Sequence, residues 1–395
     1  MASLSLINKV KGSPILYSLY YRIGSFLINT IKIFLKSDEN LILFVSYGGK
    51  KYDDTPKDVF EAMINDPRFD KYEKVWAFRA PEKYSMDACR IIKIDSWDYY
   101  KTALRARVWI TNVGITRALD FKGIHTLSIN SWHGTAIKKI GGDAIKEGNF
   151  VSKEKNPLAD IMLAQGQYDV EVYSRAFNVP KQNVVITGFP RNDSLVTCNN
   201  PITINKIRKD LNIPSGKKVI LYAPTYRDYD VDSGHGCVMK PPFDLDNWEK
   251  KLSKDYILLV RAHIAVMKVL NLKENDFIRD VSKYPYLNDI LIISDVLISD
   301  YSGILFDYSI LGRPMLCYTY DYEKYKEKRG VYIDIRKDLT YAEKDEQLLD
   351  MIQNMDWDIE TKKAIAFREK FIQQYGNASQ KVLDIVYENI KAPSK

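Results

Sequence analysis

The chain has 395 residues, of which 46% are hydrophobic, a composition that excludes a disordered protein and predicts about two globular domains. Its 58 lysine and arginine residues exceed the 51 acidic residues by 7, which favours an anionic partner without distinguishing a phosphate donor, an anionic lipid or a nucleic acid. The four cysteines are scattered and form no zinc-binding pattern, as is typical of reduced thiols in a cytosolic protein.

Residues 1–40 are predicted to form an apolar and basic helical segment. Pro14 marks a helix start, the run that follows is rich in aromatic residues, and no acidic residue occurs between Pro14 and Asp38. The segment carries Arg22, Lys32 and Lys36, so no stretch reaches the roughly 18 uncharged apolar residues of a membrane span. It also lacks a secretory cleavage site. Two interpretations remain open, a helix at a membrane surface and a helix or helix pair that packs on the core.

Strand and helix patterns alternate from residue 41 onward, which predicts parallel sheets covered by helices on both faces. We expect an α/β fold with two Rossmann-type domains, 41–200 and 201–395, whose sheets face a central cleft. The second domain includes a strand-like run at Asp289–Ile293 and terminal helices within Ile359–Ile390. Strands are predicted at residues 41–46, 74–79, 107–111, 125–130, 160–164, 184–187, 218–223, 256–261, 296–299 and 314–318.

His133 follows one of these strands and precedes Gly134, Thr135 and two lysines. An imidazole can accept a hydroxyl proton, and backbone N–H groups at a helix start favour a phosphate. The pattern therefore suits an alcohol that attacks an activated phosphate, although a structural histidine remains the alternative.

Arg261 and His263 end another strand and lie on one side of it, because side chains alternate along an extended segment. Together they are candidates to hold a diphosphate and stabilise charge on it. The alternative is a capped strand end with one surface salt bridge.

Three further residues follow strands and carry groups suited to phosphate. Thr225 and Arg227 offer a hydroxyl and a guanidinium after the 218–223 strand. Arg191 is a candidate phosphate ligand or, equally, a linker residue that pairs with Asp193.

The segment Ser299–Asp307 runs from a strand end into an apolar helix. Ser302 and Gly303 would present a hydroxyl and N–H groups to a phosphate, and Asp300 or Asp307 could orient a ribose hydroxyl or an imidazolium. A plain helix cap, with Asp307 serving the helix dipole, is the alternative.

Several familiar functional motifs are absent from the sequence. It has no Gly-x-Gly-x-x-Gly fingerprint, so a dinucleotide cofactor is not suggested, and no HExxH, P-loop, GxSxG or EF-hand pattern. No metal ligands are predicted, and a divalent cation is left open.

Six motifs occur in the order found in one protein family. The motifs are Trp132–Thr135, Gly188–Asp193, Ala223–Arg227, Arg261–His263, Ser299–Ser302 and Phe306–Pro314. With them the chain resembles the CDP-glycerol glycerophosphotransferases, the teichoic-acid primases and polymerases, over residues 40–390.

The resemblance implies a GT-B-like fold, a CDP-glycerol or CDP-ribitol donor in the second domain and an undecaprenyl-diphosphate-linked acceptor at the inner face of the cell membrane. His133 would be the base, and His263 with Arg261 would contact the donor pyrophosphate. Thr225, Arg227, Ser299, Asp300, Ser302 and Gly303 would line the donor pocket. CMP would be released, and no nucleic acid would take part. Gly303 departs from the family pattern, in which a second serine is common.

Two other functions are compatible with the sequence. One is a nucleotide-sugar glycosyltransferase of the same architecture in cell-surface polysaccharide synthesis. The other is a non-catalytic, basic membrane-surface protein that binds anionic glycolipid or polymer. The choice of polyol, the number of units added, the need for a metal and the oligomeric state are not determined by the sequence.

Overall fold

The computed structural model describes residues 13–144, 159–225, 227, 231–232, 236–237, 243–262 and 274–391. His263, one of the two predicted catalytic histidines, lies outside these residues. The chain divides into two compact units. The first comprises Met1–His133, Gly141–Arg191 and Asn377–Lys395, and the second comprises Gly134–Ile140 and Asn192–Gly376.

This division differs from the predicted one in two places. Residues 134–140 belong with the second unit, and residues 377–395 belong with the first. The chain therefore passes between the units at several points, and the passage at residues 191–192 is the one near the predicted boundary. The reason is long-range packing: the last helix returns to the first unit, where Asn389 accepts a hydrogen bond at its carbonyl from Arg107 Nη2 (2.9 Å). The Tyr387 ring also packs on Phe69.

The first unit contains a seven-stranded parallel sheet in the order β3-β2-β1-β4-β5-β6-β7. Its strands are β1 (Asp38–Val45), β2 (Glu73–Phe78), β3 (Arg90–Lys93), β4 (Ala106–Thr111), β5 (Leu127–Asn130), β6 (Ile161–Ala164) and β7 (Val184–Ile186). Its described helices are α1 (Pro14–Ile33), α2 (Asp54–Met63), α3 (Trp97–Arg105), α4 (Gln167–Ala176) and α13 (Ala378–Lys391).

Helices cover both faces of this sheet. Side chains on both sides of β1 are therefore buried, and its residues 41–45 are all apolar. Leu43 and Val45 pack into a core with Tyr99 of α3 and Ile28 of α1. On the opposite face, Phe44 contacts Phe60 of α2, with ring centroids 5.4 Å apart. The carboxyl ends of all seven parallel strands therefore share one edge, where loops can carry functional groups.

The second unit contains a six-stranded parallel sheet in the order β12-β11-β8-β13-β14-β15, and a short antiparallel ribbon, β9 and β10. The strands are β8 (Lys218–Tyr222), β9 (Val231–Asp232), β10 (Gly236–Cys237), β11 (Tyr256–Val260), β12 (Ile278–Asp280), β13 (Val296–Ser299), β14 (Met315–Tyr318) and β15 (Thr340–Ala342). The described helices are α5 (Asp193–Thr197), α6 (Pro201–Asp210), α7 (Leu245–Leu252), α8 (Leu287–Ile293), α9 (Ile304–Ser309), α10 (Tyr322–Arg329), α11 (Asp345–Gln353) and α12 (Trp357–Phe371).

Both units are thus Rossmann-type α/β structures, as predicted, but one local prediction is wrong. The run Asp289–Ile293 forms part of helix α8, not a strand. Ile290–Ile293 are all buried, and a short, continuous apolar run is compatible with either a buried strand or a buried helix. Here the parallel strands β12 and β13 are joined by a crossover, and the run supplies its helix.

Helix α1 packs on the first unit along one side and exposes the other. Pro14 is at its first turn, and Ser13 caps it by accepting a hydrogen bond from the Leu16 N–H at 3.4 Å. Gly24 lies against Leu119, since a Cβ there would come within 2.7 Å of a Leu119 methyl carbon. Across the described ranges, no helix has the length and apolar content that a membrane span requires.

Candidate active site

His133 lies just beyond the carboxyl end of β5, on a turn that its neighbours hold in place. Asn130 Oδ1 accepts a hydrogen bond from the Trp132 N–H at 2.7 Å, and Asn130 Nδ2 donates to the Val113 carbonyl at 2.6 Å. Trp132 has a φ of 52°, a left-handed conformation that turns the chain sharply. The His133 side chain is exposed, and its ring centroid lies 4.0 Å from that of Trp132 and 6.3 Å from that of Tyr47.

A buried polar network lies beside this turn in the first unit. The Tyr47 hydroxyl donates to Asp54 Oδ2 at 2.6 Å, and Arg191 Nη1 lies 3.3 Å from the same oxygen. Burial alone would raise the pKa of Asp54, but Arg191 and the hydrogen bond from Tyr47 hold it below its usual value. Burial and the Asp54 charge raise the pKa of Tyr47 well above its usual value. The network keeps Asp54 charged and Tyr47 protonated near neutral pH.

The carboxylate of Asp54 is thus a partner of Arg191 that the sequence did not indicate. Asp54 is 5% exposed and adopts a φ of 63°, which is rare for a residue with a side chain. Such strain tends to occur at functional sites, where the surrounding structure compensates for it. The sequence gives no sign of this network, because Arg191 lies 137 positions from Asp54 in the chain.

Gly134 and Thr135 follow His133 but pack within the second unit. The segment Gly134–Ile140 is held there by hydrogen bonds from the Tyr332 N–H to the Ile137 carbonyl (2.8 Å) and from the Lys139 N–H to the Gly330 carbonyl (3.1 Å). A Cβ at Gly303 would lie 2.6 Å from the Thr135 carbonyl oxygen. The close backbone approach leaves no room for a side chain at position 303 unless this backbone shifts.

Arg227 is buried among two carboxylates and three tyrosines of the second unit. Its Nε and Nη2 atoms donate to the two oxygens of Asp321, each at 2.8 Å, and Nη1 donates to Asp300 Oδ2 at 2.7 Å. Burial alone would lower the pKa of Arg227, but Asp300 and Asp321 raise it above its usual value. The guanidinium carbon lies 5.1–5.6 Å from the ring centroids of Tyr301, Tyr320 and Tyr325.

Asp300 connects two of the loops predicted to bind the donor. Its Oδ1 atom accepts the Thr225 N–H at 2.8 Å, and Arg227 Nη1 donates to the Thr225 carbonyl at 2.6 Å. Ser299 joins the same two loops, because its hydroxyl donates to the Ala223 carbonyl at 2.7 Å. Arg227, Asp300 and Ser299 thus hold the ends of β8 and β13 together. Asp321 completes this cluster, although no sequence motif drew attention to it.

Ser302 and Asp307 take separate places around helix α9. The Ser302 hydroxyl accepts the Ile304 N–H at 3.4 Å, a weak cap at the helix start. Asp307 is 4% exposed, and its Oδ1 atom accepts a hydrogen bond from Asn192 Nδ2 at 2.8 Å. Asp307 therefore anchors the Gly188–Asp193 motif through its buried asparagine.

Arg261 is positioned at the end of β11 by two carbonyl groups. Its Nη1 atom donates to Val281 at 2.9 Å and to Tyr284 at 2.8 Å. His263 lies outside the described residues, so its predicted contact with the donor pyrophosphate stays a prediction. Among the residues that the structure describes, no group of three or more His, Cys, Asp or Glu side chains is placed to hold a metal ion.

Two Rossmann-type units with polar groups at the carboxyl ends of their strands are typical of nucleotide-binding α/β enzymes. The family model of the CDP-glycerol:poly(glycerophosphate) glycerophosphotransferases matches residues 27–388, and the chain belongs to this family.

Curated relatives carry similar names. The chain is 34% identical over 372 residues to a teichoic acid poly(glycerol phosphate) polymerase of Staphylococcus epidermidis, an alignment that covers 89% of this chain and 51% of that protein. It is 32% identical to a teichoic acid glycerol-phosphate transferase of Staphylococcus aureus, covering 91% of this chain and 96% of that one. The chain thus spans about half the length of the polymerase and nearly all of the transferase.

A solved structure of the wall teichoic acid polymerase TagF superposes on the chain with a TM-score of 0.81. The two sequences are 33% identical, and the match covers 90% of each chain. This similarity confirms the predicted two-domain α/β architecture.

Proposed function

We propose that this protein transfers glycerol phosphate from CDP-glycerol to a hydroxyl group of a lipid-linked wall-polymer acceptor and releases CMP. The observation that carries the proposal is the family match over residues 27–388, which includes all six motifs. Both relatives described above have glycerol phosphate in their names, which favours glycerol over ribitol as the polyol.

In the proposed reaction His133 is the general base. The acceptor hydroxyl loses its proton to the imidazole while its oxygen attacks the phosphorus that carries glycerol. A new P–O bond forms, the bond from that phosphorus to the bridging oxygen breaks, and CMP leaves with the bridging oxygen. The exposed position of His133 at a strand end supports this role.

The second unit would bind the donor. Arg261 and His263 would contact the pyrophosphate and stabilise the charge that develops on the leaving group. Thr225, Ser302 and Gly303 would line the pocket on loops that the Arg227 cluster holds together. We propose that Arg227, Ser299 and Asp300 support this pocket chiefly by ordering its loops, and that Arg191 and Asp307 order the Gly188–Asp193 motif.

We further propose that the protein acts at the inner face of the cell membrane, which α1 contacts. Large apolar side chains of this helix are exposed, including Ile15 (79%), Phe26 (71%) and Ile33 (79%). Arg22, an exposed residue of the same helix, would favour anionic lipid.

The activity is tested by incubating the protein with CDP-glycerol or CDP-ribitol and an undecaprenyl-diphosphate-linked disaccharide, with and without a first glycerol phosphate. We expect CMP release, fastest with CDP-glycerol, and a product that retains the donor phosphate. No CMP from either donor would refute the proposal. Release of a nucleoside diphosphate from a nucleotide sugar would instead indicate a glycosyltransferase.

The role of His133 is tested in the same assay with His133→Asn. Loss of a general base should lower the rate of CMP release by about 10²- to 10⁴-fold. His125→Asn is the matched control, since His125 is also exposed but precedes β5 at the opposite edge of the sheet. Equal effects of the two substitutions would contradict the assignment.

A further inference from the structure

Two arginine side chains of the first unit meet above Gly48. Arg79 follows β2, and its Nε atom donates to the Gly48 carbonyl at 2.9 Å. From the Cβ position of Gly48, Arg79 Nη2 lies at 3.6 Å and Arg117 Nη1 at 3.7 Å. The two guanidinium groups are therefore close enough for one phosphate or diphosphate group to reach both.

The backbone and one carboxylate hold these arginines in place. The Arg79 N–H donates to the Gly49 carbonyl at 2.6 Å, so both ends of the residue are tied to the loop that follows β1. Asp95 accepts from Arg117 Nε and Nη2 at 2.7 and 2.9 Å, which orients Nη1 toward Gly48. Arg79 is exposed, and two cations against one carboxylate leave a site that attracts an anion.

This pair lies next to the helix proposed to contact the membrane. The Tyr20 hydroxyl of α1 donates to the Arg117 carbonyl at 3.1 Å. Further along α1, Ser25 Oγ accepts the Asp120 N–H at 2.8 Å, so the helix is docked on the loop that carries Arg117. An α1 that rests on lipid would bring the arginine pair to the level of the lipid phosphates.

The arginine pair and His133 lie along the same edge of the first unit's sheet. Arg79 follows β2 and His133 follows β5, and in the sheet these strands are separated by β1 and β4. Three strand spacings of about 4.8 Å place the two residues roughly 14 Å apart along the edge. Tyr47, after β1, lies between them and near the His133 ring.

We propose that Arg79 and Arg117 bind the diphosphate of the membrane-anchored acceptor, whose sugar end then extends along the sheet edge toward His133. This inference rests on the proposed function and adds a binding site for the second substrate. The site would hold the acceptor at a fixed distance from the base, so that its distal hydroxyl is the one that reaches His133.

The test is Arg79→Gln, assayed with two acceptors that share the same sugar. One carries the polyprenyl diphosphate, and the other carries a neutral alkyl chain. Loss of a charge-assisted contact should raise KM for the diphosphate acceptor by about 10- to 100-fold. KM for CDP-glycerol and the kinetics with the neutral acceptor should stay unchanged. Arg79→Lys, which keeps the charge but not the planar fork, should recover part of the loss.

The matched control is Arg90→Gln, because Arg90 is also an exposed arginine of the same sheet but stands at the amino end of β3. An unchanged KM for the diphosphate acceptor in Arg79→Gln, or an equal change in Arg90→Gln, would overturn the inference. An equal loss with the neutral acceptor would also overturn it, since it would indicate a structural effect.

Sedimentation with vesicles separates the acceptor from bulk lipid and does not depend on turnover. Phosphatidylcholine vesicles with a few per cent of polyprenyl diphosphate should bind Arg79→Gln more weakly than the unsubstituted protein. Binding to phosphatidylglycerol vesicles should differ little. An equal loss on both vesicles would mean that the arginines bind headgroups in general and would refute the inference. Absence of CMP release by the unsubstituted protein would instead count against the proposed function.

Discussion

Arg227 illustrates how a residue with phosphate-binding chemistry can be engaged by the protein itself. Its side chain is 3% exposed, and the side chains of Asp300 and Asp321 are 3% and 6% exposed. The three groups together carry a net charge of −1, and three tyrosine rings lie around the guanidinium. We infer that Arg227 is a positioning residue that orders the loops proposed to bind the donor.

The buried network predicts a large loss of stability when the cation is removed. Arg227→Met would leave two carboxylates uncompensated, and we expect the free energy of unfolding to fall by about 3–5 kcal/mol. Arg90→Met is the control, because Arg90 also pairs with two carboxylates, those of Glu73 and Asp98, but all three side chains are at least 40% exposed. In this control variant the free energy of unfolding should fall by only about 0–1 kcal/mol. Urea unfolding followed by circular dichroism measures both, and equal losses would contradict the interpretation.

At the scale of the element, α1 combines a docked side with an exposed apolar stripe. Ile15, Phe26 and Ile33 are separated by 11 and 7 residues, spacings that place them on nearly the same side of an α-helix. Ile28, in contrast, belongs to the core of the first unit. The structure thus shows a helix that packs on the core. Contact with a membrane stays a prediction, for which the exposed stripe offers an apolar surface.

This stripe predicts a membrane affinity that can be lowered without unfolding the protein. Phe26→Ser combined with Ile33→Ser should reduce partitioning onto phosphatidylglycerol vesicles by at least about tenfold, because two large apolar side chains no longer enter the interface. Added salt should weaken the binding that remains. Ile202→Ser with Ile359→Ser is the control, because it removes exposed apolar side chains, 84% and 49% exposed, from α6 and α12 of the second unit. If both double variants bind alike, α1 is not the contact.

At the scale of the whole molecule, the first unit includes helix α13, which lies near the carboxyl end of the chain. Helix α13 packs against α2, and Val382, Leu383 and Val386 are fully buried. The contacts span more than 300 residues of sequence, since Arg68 Nη1 donates to Asp384 Oδ1 at 2.8 Å. Stability of the first unit therefore depends on the carboxyl-terminal segment.

This arrangement predicts where a destabilising substitution in α13 will act. Leu383→Ala should cost about 2–5 kcal/mol through the cavity it leaves. In hydrogen exchange, protection should fall in α2 and the first sheet. Leu349→Ala, in α11 of the second unit and equally buried, should instead affect the second sheet. Loss of protection in the second sheet on Leu383→Ala, with none in the first, would contradict the assignment of α13.

The sequence alone was enough for the α/β class, for most strands and for the family, because these depend on local apolar periodicity and on short motifs that are contiguous in the chain. Only the tertiary structure decided what the motif residues touch. Asp321 for Arg227, Asp54 for Arg191, Asn192 for Asp307 and α13 for α2 are partners separated by tens to hundreds of residues. Such partners are set by the order of strands in the sheets and by which loops meet at one edge. No local pattern records that order, and the same limit made the buried run of α8 resemble a strand.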